Sequence, residues 1–210
     1  MHTYKLHYFP LRARAEAIRL MFLYKGVKFE DEIVFWNEWK DKKPTFPINT
    51  LPVLEIDGKH QISQSWAILR YVAKKLGLAG KDDMEAAQLD QVLELWRDWD
   101  NAATPWMSVL AGFSQENPNE FLNEKVIPAL EKYGPQFEHL LRESGSGFFG
   151  RSGISYVDFY IADQVYTLHK YRPEAMEAYF PYLVEHMKRV HALPGLQAHF
   201  TYYKYTGPKA

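Results

Sequence analysis

The chain has 210 residues, 47% apolar and 24% charged, enough for one large domain or two small ones with real cores. Its formal net charge of −1 leaves no electrostatic case for nucleic acid or an anionic membrane surface as a partner. Zero cysteines exclude disulfides and thiolate chemistry by the protein itself, which fits a reducing compartment.

Met1 to Pro10 is charged and alternating, without the apolar run of a signal peptide. No window approaches the roughly 18 apolar residues of a membrane span, so a soluble, cytoplasmic protein is expected. Tyr4, Leu6 and Tyr8 alternate with Lys5 and His7, the pattern of a half-buried strand. From Leu11 the period becomes helical through Ala15, Ile18 and Phe22, and Gly26 is a suitable stop. Residues 27–34 read as a second strand, and residues 35–47, rich in Trp, Lys and Pro, as mostly irregular chain. Val53 to Ile56 and His60 to Ile62 form a hairpin around Asp57-Gly58. Ser65 opens a helix through Ile68, Leu69, Val72 and Ala73 to Gly77. The order β-α-β, break, β-β-α predicts a small α/β domain with a mixed sheet.

Leu78-Ala79-Gly80-Lys81-Asp82 is the best linker, because no strand signal follows it. Residues 84–112 are helical with a kink or break at Pro105. Asn117-Pro118 reads as an N-cap with proline at the first helical position, opening a helix to about Arg142. Ser155-Tyr156-Val157-Asp158 fits a capping box, and Pro173, Pro181 and Pro194 each precede a short helical segment. The domain boundaries are therefore 1–79 for the α/β part and 80–210 for an all-helical part.

Two stretches carry chemistry. In Leu51-Pro52-Val53-Leu54-Glu55, proline cannot donate a backbone hydrogen bond, so the strand edge beside it stays open to an extended peptide. Gln64-Ser65 stands where a helix begins, and the N–H groups of such a start suit a carboxylate. Together they describe a pocket for a small anionic peptide. Arg14 falls in the first turn of a helix, where a cation is electrostatically out of place. Asp90, Glu94 and Asp98 share one helix face at i, i+4, i+8, ordinarily a solvated acidic face.

Tyr4-Lys5-Leu6-x-Tyr8-Phe9 with Arg12-x-Arg14-Ala15-Glu16 resembles the opening of the sigma-class cytosolic glutathione transferases, including their nematode forms. Leu51 to Glu55 with Gln64-Ser65-x-Ala67-Ile68 is similar to that family's glutathione site, and Leu78 to Lys81 to its interdomain linker. The resemblance implies a thioredoxin-like N-terminal domain and a helical C-terminal domain that carries most of the second-substrate pocket. It also implies a homodimer.

The implied roles follow residue by residue. The Tyr8 hydroxyl donates to the glutathione sulfur. Such a bond favours the thiolate, and lowering a thiol from about 8.5 by roughly two units is worth about 2.7 kcal/mol. Arg14 supports the thiolate or the glutathione backbone. Trp39 and Lys43 hold the glycyl carboxylate, with Trp36 a rival in another register. Position 50, here Thr50, also contacts glutathione. Leu51 pairs with the cysteinyl unit by strand addition, and Pro52 is cis. Gln64 and Ser65 take the γ-glutamyl carboxylate, a bare serine N-cap being the plain alternative. Asp98, or Asp100 one step away, reaches the glutamyl ammonium in the other subunit. Phe9, Trp106, Tyr160 and Gln164 line the second-substrate pocket, which the aromatic run Tyr202-Tyr203-Lys204-Tyr205 closes. In related prostaglandin D synthases an extra acid on this face helps bind a divalent metal. Here it is Arg97, so no metal is expected.

The resemblance implies attack of glutathione thiolate on a hydrophobic electrophile. The alternatives are isomerisation of prostaglandin H2 to D2, ligandin-like binding of haem or other hydrophobic compounds, and a crystallin-like structural role. Two departures stand out. Ala13 replaces a glycine, which is harmless if the residue is helical. Pro47-Ile48-Asn49-Thr50 replaces Pro-Phe-Gly-Gln or Pro-Phe-Gly-Lys, so the loop entering the glutathione site is expected to be shaped differently.

Overall fold

The computed structural model describes residues 2–103, Trp106, Val109 and residues 114–201. The alternating start forms β1 (Tyr4–Tyr8), which buries Leu6 and Tyr8 and leaves Lys5 and His7 partly exposed. Helix α1 (Ala13–Tyr24) follows, then β2 (Glu30–Ile33), shorter than the predicted 27–34. β3 (Val53–Ile56) and β4 (His60–Ser63) make the hairpin, and α3 (Ser65–Leu76) closes the unit. The sheet order is β2-β1-β3-β4, with β1 parallel to β2 and antiparallel to β3. This is the thioredoxin-like arrangement expected from the sequence.

The hairpin turns where both Asp57 (φ 55°) and Gly58 (φ 64°) are left-handed, as an Asp-Gly pair readily is. Asp57 also accepts a 2.8 Å hydrogen bond from the Thr3 N–H, tying the turn to the start of β1. α1 packs against α3, and Ile18, Phe22, Ile68, Leu69 and Val72 are buried with Leu6, Val53 and Leu54. Each of these side chains contributes about 1.5–3 kcal/mol on burial.

Residues 35–47, predicted irregular, instead form α2 (Trp36–Lys42) and two short 3₁₀ turns, Lys43–Thr45 and Pro47–Asn49. None of α2's residues is buried, so it shows no apolar stripe for the sequence to reveal. Its start is secured by Glu38, whose carboxylate accepts the Phe35 N–H at 3.2 Å.

The chain divides into two compact units, residues 2–78 with the segment from His191, and residues 79–190. In the second unit α4 (Asp83–Ala103) buries Leu89, Val92, Leu93, Trp96, Trp99 and Ala103, a helical stripe. Asn117 caps the next helix as predicted, accepting N–H groups from Asn119 and Glu120. The continuous helix expected to Arg142 is α5 (Pro118–Phe121), a π turn over Leu122–Val126, and α6 (Ile127–Ser144). The capping box at Ser155 opens α7 (Tyr156–Tyr171), followed by α8 (Pro173–Tyr179) and α9 (Pro181–His191). α10 (Gln197–Thr201) ends the described chain in the first unit. Pro105 and Tyr202 to Tyr205 lie outside the described residues. Among those described, no helix is long and apolar enough to cross a membrane.

Candidate active site

Strand register gathers the candidate residues at one end of the sheet. β1 and β3 pair His7 with Val53, and β3 and β4 pair Val53 with Ser63. One step further along each strand stand Tyr8, Pro52 and Gln64, a row across three neighbouring strand ends. Tyr8 is 5% exposed, and its backbone carbonyl accepts the Val34 N–H at 2.8 Å. The Leu51-Pro52 bond is cis, as expected. Ser65 is the first residue of α3 rather than its cap: Gln64, at φ 73°, holds the cap position and makes no side-chain capping bond. The plain serine-cap alternative does not hold. The first-turn N–H groups of α3 keep their affinity for an anion.

The loop before Pro52 turns sharply. Ile48 and Asn49 are both left-handed, at φ 47° and 54°, and Thr50 is extended and exposed. Asparagine tolerates that region, whereas a β-branched isoleucine is strained in it. Ser63, which sequence reasoning missed, ties the loop to β4 by donating to the Pro47 carbonyl at 3.2 Å. Its place two residues before the helix start was the only clue.

Trp39 and Lys43 are four residues apart and share a face, since Lys43 keeps αR geometry and donates its N–H to the Trp39 carbonyl. Phe9 lies against α2, stacked on Trp36 with ring centroids 3.9 Å apart and edge-on to Trp39 at 5.3 Å. Thus Phe9 binds α2 to the end of β1, a link the weak periodicity of 35–47 concealed.

Behind Tyr8 is a buried charge cluster. Arg19, 1% exposed, donates through Nη1 to the Leu11 carbonyl (2.9 Å) and Glu16 (3.2 Å), and through Nε to Asp31 (3.0 Å). Its guanidinium carbon lies 5.8 Å from the Tyr8 ring centroid. Glu16, fully buried, accepts from His199 at 2.6 Å and has Arg12 within 3.8 Å. Burial alone would raise the Glu16 carboxyl, but the His199 hydrogen bond and the Arg12 and Arg19 charges outweigh it and hold the group below its usual value. Arg14 is exposed. Ala13 opens α1 at φ 37°, so the substitution for glycine places a side chain in left-handed backbone rather than in ordinary helix.

In the second unit Asp98 is exposed on α4, and Arg97 pairs with Glu94. Trp106, Tyr160 and Gln164 are each at most 5% exposed. Trp106 packs edge-on to Trp99, and Tyr160 edge-on to Trp96, in an aromatic core. Among the described residues no group of three or more His, Cys, Asp or Glu is placed to hold a metal ion.

A thioredoxin-like sheet with a cis-proline edge beside a helix start is an arrangement suited to an extended, anionic peptide. Family comparison agrees: residues 4–74 match the glutathione S-transferase N-terminal domain and residues 100–202 the glutathione S-transferase C-terminal domain. A probable glutathione S-transferase 6 of Caenorhabditis elegans is 36% identical, over 94% of this chain and 95% of its own. A solved structure described as a monomeric glutathione S-transferase from the hookworm Necator americanus is 34% identical, with TM-score 0.90 over 99% of this chain and 98% of that one. A Nu-class enzyme from Haemonchus contortus is 33% identical, with TM-score 0.84 over 100% and 99%. The chain belongs to the glutathione S-transferase family, with glutathione as co-substrate.

Proposed function

We propose that the enzyme is of the sigma class and that the Tyr8 hydroxyl donates to the sulfur of bound glutathione, holding it as the thiolate that attacks a hydrophobic electrophile. The observation that carries this is the row of Tyr8, Pro52 and Gln64 across three strand ends. A tripeptide lying along the Leu51-Pro52 edge would bring its central cysteine to Tyr8 and its γ-glutamyl carboxylate to Gln64 and Ser65. Its glycyl carboxylate would meet the indole N–H of Trp39 and the ammonium of Lys43, both donors. Thr50 would bound the site on the loop side, and the exposed Arg14 would supply positive charge near it. The thiolate is the nucleophile, so the protein activates its co-substrate rather than a side chain of its own.

In this proposal residues 1–79 form the glutathione-binding domain, 80–210 the helical domain, and the enzyme acts in the cytoplasm. It also includes a homodimer in which Asp98 reaches glutathione in the partner, although the hookworm relative is described as monomeric. The decisive experiment is Tyr8→Phe, assayed with an aryl halide and tested for retention on immobilised glutathione. Retention is expected to persist while kcat near neutral pH falls about ten- to a hundredfold, the loss expected from raising a thiol by one to two pH units. An unchanged rate overturns the role of Tyr8.

A further inference from the structure

Arg19 is a buried cation that no step so far uses. A structural role alone accounts for its bonds to Glu16, Asp31 and Leu11, but not for where those bonds leave the guanidinium. They hold it over the Tyr8 ring, 5.8 Å from its centroid, within the range of a cation–π contact. Three partners on three segments fix that position: Asp31 on β2, Glu16 one helical turn earlier on α1, and the Leu11 carbonyl in the corner between β1 and α1. Both groups are screened from water, Arg19 at 1% and Tyr8 at 5% exposure, so the interaction is little weakened by solvent.

We propose that Arg19 is a positioning residue for the transferase reaction: its guanidinium polarises the Tyr8 ring and strengthens the hydrogen bond that the phenol donates to the glutathione sulfur. This rests on the assignment of Tyr8 above. A cation over the ring face draws electron density from the hydroxyl, which makes it a stronger donor without transferring a proton. Because Glu16 and Asp31 offset the nearby charges, the effect is local to the ring. Glu16 and Asp31 are then positioning residues one step further out, and His199, through its bond to Glu16, steadies the same arrangement from the C-terminal segment.

The test reads the thiol directly, by ultraviolet titration of glutathione bound to the enzyme, alongside the pH profile of kcat/KM. Arg19→Met alone strands Glu16 as a buried charge, so it is made together with Glu16→Gln. Asp31→Asn, at the partly exposed end of the cluster, is a milder second variant. The thiol midpoint is expected to rise by about half to one pH unit in the double variant and to fall by less than that in Asp31→Asn, where the guanidinium loses a compensating charge. In the double variant kcat/KM should fall about three- to tenfold below the midpoint and recover above it. A purely structural role lowers activity equally at every pH. In a Tyr8→Phe background the Arg19→Met/Glu16→Gln pair should produce no further shift.

An unmoved midpoint in the double variant overturns the inference, and if that variant does not fold, an unmoved midpoint in Asp31→Asn does so. If Tyr8→Phe itself leaves the midpoint unmoved, the assignment of Tyr8 falls and the inference with it. If Tyr8→Phe raises the midpoint and the cluster variants leave it unmoved, only the inference falls.

Discussion

His199 Nε2 and Glu16 Oε1 lie 2.6 Å apart although 183 positions separate them in the chain, so the last described helix is hydrogen-bonded to the first. Phe200 extends the contact: the Arg12 guanidinium lies 5.2 Å from its ring centroid, and His191 stacks on it at 3.8 Å. Gly195 passes close to the Leu23 carbonyl, where an added Cβ would approach to 3.2 Å. Replacing His199 removes a hydrogen bond to a charged group while leaving Arg12 and Arg19 beside Glu16. We expect His199→Ala to cost about 1–2 kcal/mol, read as a lower midpoint in urea unfolding.

Acid should weaken the fold through two buried carboxylates. In Glu85 burial would raise the carboxyl, but N–H groups of Lys81 and Ser152 and the Ser152 hydroxyl, each within 2.8 Å, hold it below its usual value. Glu16 is depressed likewise. The unfolded chain then binds protons at higher pH than the folded one. Their contribution is complete well above the unfolded value of about 4.3 and is lost as pH falls through the depressed folded values. The Tm difference between the wild type and Glu85→Gln should be largest near neutrality and shrink as pH falls below about 4.5. A difference independent of pH counts against this linkage.

The left-handed Ala13 invites a stabilising change. Glycine adopts φ 37° without a Cβ conflict, which outweighs its extra freedom in the unfolded chain. Ala13→Gly is expected to add about 1 kcal/mol, raising Tm by a few degrees with little effect on kcat.

Asp158 stands at the centre of the helical unit's polar core. Fully buried, it accepts from the Ser155 N–H and hydroxyl and the Phe149 N–H, each at 2.7 Å, and pairs with buried His186 at 2.8 Å. Asp158→Ala strands all of these donors and should cost about 3–5 kcal/mol, lowering Tm by about 10 °C or more. Soluble yield should fall with it.

At the proposed glutathione edge, Gln64→Glu would set one carboxylate against another at the start of α3. KM for glutathione is expected to rise about tenfold or more, equivalent to roughly 1.4 kcal/mol, while Tm stays near the wild-type value. An unchanged KM removes Gln64 from the γ-glutamyl site.

Legibility in the sequence followed the range of each interaction. Period-two alternation announced β1, Asp57-Gly58 the hairpin, Asn117-Pro118 a helix start, and Ser155 with Asp158 the capping box, because each is decided within four or five residues. α2 went unseen because a seven-residue helix with no buried position leaves no periodic trace. The π turn at Leu122–Val126 has no residue signature, and the left-handed Ala13 depends on the corner that carries β1 into α1. The partnerships of Arg19 with Tyr8, Glu16 with His199 and Asp158 with His186 are tertiary, and no local pattern encodes them.

Phe9 stacked on Trp36 and edge-on to Trp39 has a spectroscopic consequence. Trp36, Trp39 and Trp66 are partly exposed in the unit that carries the sheet, whereas Trp96, Trp99 and Trp106 are wholly enclosed in the other unit. Small quenchers such as iodide or acrylamide therefore reach the first three and not the second three. Emission lost to such a quencher reports on α2 and the start of α3, and emission that survives it reports on the helical core. Two regions of one unlabelled chain can thus be followed separately in a single cuvette.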